Sequence, residues 1–141
     1  MKKYVNLALS YAILGLASGV FFREFGKYNH IEDSALGVVH GHILVLGTLV
    51  FLIVLVLDKL FAISGTKAFK LFFTTYNIGL PVTIIMMFVR GILTDLNVGL
   101  GKGLDASIAG IAGIGHTLVA VGLVALLFAL RASLPGSAKA D

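Results

Sequence analysis

Ala35-Leu-Gly-Val-Val-His-Gly-His-Ile-Leu-Val-Leu-Gly-Thr-Leu-Val-Phe-Leu-Ile-Val-Leu-Val-Leu57 is an uncharged apolar run broken only by histidines, glycines and one threonine. Crossing a bilayer as a helix takes about 20 apolar residues at a rise of about 1.5 Å each, and this run is long enough. Three more stretches match it: Tyr4 to Phe22, Leu71 to Leu93 and Ala106 to Leu130. No strand-like alternation with paired turn signals competes. Lipid offers the backbone no hydrogen bonds, so a spanning segment satisfies its own, and helices are the default. The expected fold is all-α, an integral membrane four-helix bundle forming one membrane domain over residues 1–141, with membrane lipid as its surroundings.

Composition agrees. The chain is 58% hydrophobic and 13% charged, with a mean hydropathy of +1.01. A soluble domain carries about a quarter charged residues on its surface. Cysteine is absent, which removes disulfides, thiolate metal sites and cysteine nucleophiles. The net charge of +4 is spread singly between apolar runs, so no nucleic-acid stripe is expected.

Lys and Arg flanking the spans set the expected orientation. Lys2, Lys3, Lys59, Lys67, Lys70, Arg131 and Lys139 fall on one side, and Arg23, Lys27, Arg90 and Lys102 on the other. This places both termini in the cytoplasm of a bacterial inner-membrane protein. Met1-Lys2-Lys3 before an apolar run has a signal-peptide look, but the run is full length and lacks a small-x-small cleavage site. It is read as a retained span. In the loops, Ser34 and Asp105 are expected to cap the second and fourth helices. Asn97-Val-Gly-Leu-Gly-Lys-Gly-Leu-Asp105 lacks the ending of a nucleotide loop and reads as a connector.

Histidine carries the chemistry. His40, His42 and His116 fall inside spans, where ionisable residues are costly and face a bundle interior with a partner. The plainest role for each is an interhelical hydrogen bond. Yet His42 lies about 10 Å below Ala35 and His116 about 16 Å below Asp105, so the two can oppose each other in the outer half of the membrane. Two imidazoles facing across a gap are what bis-histidine haem ligation requires. His40 and His42 are about 200° apart around a helix, so they serve two sites or only one is a ligand.

Neighbouring residues fit a large planar ligand. Gly41 and Gly115 sit beside the histidines, clearing space for a macrocycle or merely letting helices pack. Arg23 and Arg90 end the first and third helices on the outer side, as propionate partners or only as topology signals. Met86 and Met87 read as core filler rather than ligands. Pro81 is expected to kink the third helix, with Thr74, Thr75 and Asn77 near the freed groups.

Val38-Val-His-Gly-His-Ile-Leu-Val-Leu-Gly47 resembles the His-x-His helix of haem–copper oxidase catalytic subunits. Gly115-His-Thr-Leu-Val-Ala-Val-Gly122 is loosely similar to the helix bearing their other low-spin ligand. Over nearly its whole length the chain resembles a family of small uncharacterised four-helix bacterial membrane proteins. Its landmarks here are Tyr11-Ala-Ile-Leu-Gly-Leu, Phe22-Arg-Glu-Phe, the His40/His42 pair, Tyr76-Asn-Ile-Gly-Leu and Gly103-Leu-Asp-Ala. The resemblance implies His42 and His116 as axial ligands of a low-spin haem b, and His40 as a candidate ligand for a second haem. The oxidases' three-histidine copper site has no counterpart, so dioxygen reduction is not implied. Their pseudo-threefold arrangement of four-helix units implies a homo-oligomer, with a dimer as plausible as a trimer.

Three functions follow as expectations. The leading one is a haem b protein in electron transfer or haem-dependent sensing, with a redox partner of unknown identity. The second is a small proton-coupled or metal-handling transporter, its histidines relaying protons or binding metal. The third is a structural membrane subunit whose histidines only join helices.

Overall fold

The computed structural model describes residues 1–31 and 34–134. Glu32, Asp33 and the tail with Pro135, Gly136 and Lys139 lie outside the described residues. Helix α1 runs Lys2–Asn29, α2 Leu36–Phe61, α3 Lys67–Asp95 and α4 Lys102–Ser133, and each is long and apolar enough to cross a membrane. Among the described residues there is no strand.

The helices outrun the apolar stretches that predict them, because charged ends extend a helix without entering its apolar window. Arg23 and Glu24 thus belong to α1, and Asp105 stands in the first turn of α4 rather than capping it. Ser34 does cap α2: its hydroxyl accepts from Leu36 N–H at 3.0 Å and donates to the Asp95 carboxylate, tying the start of α2 to the end of α3. Helices α1 and α2 stop where His30 and Ala62 turn left-handed.

Helix α3 is the hub. It packs along α4 for most of its length and lies beside α2, while α1 packs along α2. Contact between α1 and α3 is made by aromatic tips, Tyr4 with Phe73 and Phe21 with Phe88. Helices α1 and α4 do not meet. Glycine sets the closest approaches. Gly79 of α3 lies against Leu118 and the backbone of Gly115 and Val119 in α4, and Gly47 of α2 receives the Tyr11 ring. Tyr11, Phe51, Tyr76 and Phe72 form a continuous aromatic core. Helix α3 continues unbroken through Pro81. Asn77 Nδ2 donates to Phe73 O and Thr75 to Leu71 O, both one turn back.

At the end of the bundle holding the N-terminus, Asp58 stands one residue past the apolar run that ends at Leu57. It accepts from Ser64 N–H at 2.8 Å and from the Tyr4 hydroxyl at 3.3 Å. Desolvation pushes its carboxyl up, but the Ser64 and Tyr4 bonds and the nearby N-terminal amine outweigh this and hold it below the usual carboxylate range. Its folded pKa being depressed, its contribution is present above the ordinary value of about 3.9 and is lost as pH falls through the lower folded value. Asp58→Ala is expected to cost about 1 kcal/mol at neutral pH. Melting curves in detergent for variant and parent should converge as the pH is lowered past that point.

Candidate functional site between helices two and four

The contacts around α2 fix where its two histidines point. The His40 ring stacks on Phe22 of α1 at 6.5 Å and lies against Gly19, and Leu44 and Gly47 also meet α1. His42 lies about 200° around the helix from His40, so it faces away from α1. It is half-buried, beside a hollow of about 300 Å³ lined by Gly41, His42, Val45 and Leu46.

On α4, Gly115, Val119 and Gly122 are buried, the two glycines directly against α3. His116 is about 100° around from Gly115. It is exposed, on the flank of α4 that carries the half-buried Leu123 and Leu130 further down. The Cα atoms of α2 and α4 come within 8 Å only through the second half of α2. Around His42 and His116 the two helices do not approach this closely, and the hollow beside His42 is lined by α2 residues alone.

Depth along the bundle can be compared through α3. Leu36 lies on Gly91 of α3, and Thr83 lies on Gly115 of α4. From Leu36 down to His42 is about 9 Å of helix, and from Gly91 down to Thr83 is about 12 Å. Counted along the helices, His42 thus falls within about one turn of the level of Thr83 and Gly115.

Their hydrogen bonds are alike. His42 Nδ1 lies 2.8 Å from Val38 O, and His116 Nδ1 lies 2.8 Å from Ala112 O, each four residues back in its own helix. A carbonyl only accepts, so each Nδ1 is the donor, and each Nε2 is the ring nitrogen its own helix leaves unengaged. A ring N–H spent on a backbone carbonyl is how a metal-ligating histidine is usually oriented. Among the described residues neither ring hydrogen-bonds a neighbouring helix.

Other expected residues divide. A side chain at Gly41 would meet nothing within 4 Å, so this glycine does leave room. Gly115 does not: a Cβ there would come within 2.7 Å of Thr83 Oγ1, so it serves helix packing. Arg90, exposed near the end of α3, pairs with Asp105 of α4 at 3.4 Å. Arg23 is on α1, which does not approach α4, and sits 3.7 Å from Glu24. His40 is on the far side of α2, its Nδ1 buried without a partner among the described residues. Among the described residues no three His, Cys, Asp or Glu come together, so the three histidines are not one cluster.

Two residues were given no role by the sequence. The Thr83 hydroxyl is 1% exposed and without a partner among the described residues. Tyr76, fully buried, donates to Leu46 O at 2.9 Å. Nothing in a span's composition separates either from ordinary helix filler. A family model described as "Protein of unknown function (DUF2871)" matches residues 1–133. The chain belongs to this family. The family match spans α1 to α4, so both His42 and His116 lie within the DUF2871 region. No curated protein and no solved structure matches the chain.

Proposed function

We propose that the protein is a membrane-spanning haem b protein with His42 and His116 as axial ligands, serving electron transfer or haem-dependent sensing. One observation carries the reading. Two histidines on different helices, at comparable depth along the bundle, each donate from Nδ1 to their own helix and leave Nε2 unengaged among the described residues, so a haem cleft between α2 and α4 could use both. The residues beside His42 fit the group, since Gly41 lines the hollow there and nothing lies within 4 Å of a Cβ built on it. Haem would supply a one-electron couple when bound; the chain's part would be to fix ring orientation through the Val38 and Ala112 carbonyls.

Arg90, at the end of α3, is the cation placed for a propionate, and it would exchange Asp105 for it. Lys and Arg distribution puts both termini on the cytoplasmic side, so the cleft opens toward the outer half of the membrane. The exposed His116 side of α4 leaves that cleft for lipid or for a second copy, in a dimer or trimer, to cover.

Haemin titrated into the purified protein in detergent should give a low-spin spectrum whose Soret band shifts on dithionite reduction. A colourless preparation whose spectrum after haemin addition equals that of haemin in detergent alone refutes the reading.

A further inference from the structure

Directly after His42 the winding of α2 changes. Ile43–Leu49 is wound wide, and Val50 N–H donates to Val45 O, five residues back. In an α-helix that donor would go to Leu46 O, four back. The Leu46 carbonyl instead accepts from the Tyr76 hydroxyl of α3 at 2.9 Å. The side chain thus stands in for the backbone donor that the wide turn removes. Nearby contacts lie on the opposite flank: Gly47 holds the Tyr11 ring, and the Thr48 hydroxyl donates to Ala8 O at 3.3 Å.

A wide turn of this kind accommodates one extra residue. Even winding of the same residues would swing everything before the turn by about 100° relative to everything after it. Phe51 and Val54, after the turn, are fully buried and anchored. The segment that would swing carries His42, which would then leave the α4 side. We infer that Tyr76 is a positioning residue for His42: by holding the Leu46 carbonyl it keeps the wide turn that aims this imidazole away from α1, into the hollow lined by Gly41, Val45 and Leu46. The inference takes its functional meaning from the haem reading, but the bearing of residue 42 is measurable without haem.

Tyr76→Phe keeps the ring contacts with Phe51 and Phe72 and removes only the donor. The chain has no cysteine, so spin labels on a His42→Cys/His116→Cys pair report the bearing directly. Adding Tyr76→Phe should shift or broaden the label distance. In the chain with native histidines, Tyr76→Phe should lower haemin affinity about tenfold, one hydrogen bond's worth, and raise the high-spin fraction. Removing Val45 restores even winding with both halves in register, and there Tyr76→Phe should change neither readout. The inference is overturned if Tyr76→Phe leaves label distance and haemin titration at the parent values. It is equally overturned if the shift persists undiminished without Val45, since Tyr76 would then act through packing. Should the parent take up no haemin while the labels still move, the haem reading fails and the positioning by Tyr76 stands.

Discussion

Replacing either His42 or His116 with alanine is expected to abolish six-coordinate haem binding while leaving the helical fold in place. Each ring spends its Nδ1 proton on its own helix, so neither holds two helices together, and its removal breaks no interhelical bond. What is lost is the Nε2 lone pair. Mutating a group that merely supports a ligand costs about 10- to 100-fold in affinity, so deleting an axial ligand should cost more than that. The remaining complex should be high-spin with one protein ligand. His40→Ala is the internal comparison: its ring faces Phe22 and Gly19 of α1, and haemin uptake should be retained. Titrations followed by absorbance, beside far-UV dichroism of each variant, check both halves. Equal haemin affinity in the parent and the His42 and His116 variants would remove the proposed ligands.

The division between what the sequence foretold and what it did not follows from the physics of each feature. Four spans were legible because a lipid-facing helix must be apolar all round, and that property is written in composition alone. The separation of His40 from His42 was legible because two residues at that spacing cannot share a face. The partner of Arg90 was not, because Asp105 is reached only when α3 and α4 are packed. The role of Gly115 was left open for a similar reason. A glycine beside a histidine either makes room or lets a helix in, and only the Thr83 contact decides between them. The wide turn after His42 left no mark at all. Ile43-Leu-Val-Leu-Gly-Thr-Leu49 has the residues of any membrane helix, and its winding is settled by Tyr76 from another helix, thirty residues away.

The largest loss of stability is expected at Gly79, where α3 and α4 touch. A Cβ there would stand 2.6 Å from Leu118 Cβ, 2.9 Å from Gly115 O and 2.9 Å from Val119 N. Two of these three atoms are backbone, so no rotamer change relieves the clash. The helices must separate, and the adjoining Gly115–Thr83 and Gly122–Tyr76 contacts open with them. Overpacking a well-filled interior costs about 1–3 kcal/mol and occasionally more, and a clash against backbone belongs at the upper end. Gly110→Ala and Gly113→Ala are the contrast, since nothing lies within 4 Å of either added methyl. There the helix gains the propensity difference between the two residues, about 0.5–1 kcal/mol. Unfolding in mixed micelles should therefore show Gly79→Ala well below the parent and the other two at or above it. Because α3 is the wall that sets α2 and α4 apart, Gly79→Ala should also weaken haemin binding with His42 and His116 intact. Loss of stability without loss of haemin would mean that the α3–α4 contact does not govern the cleft.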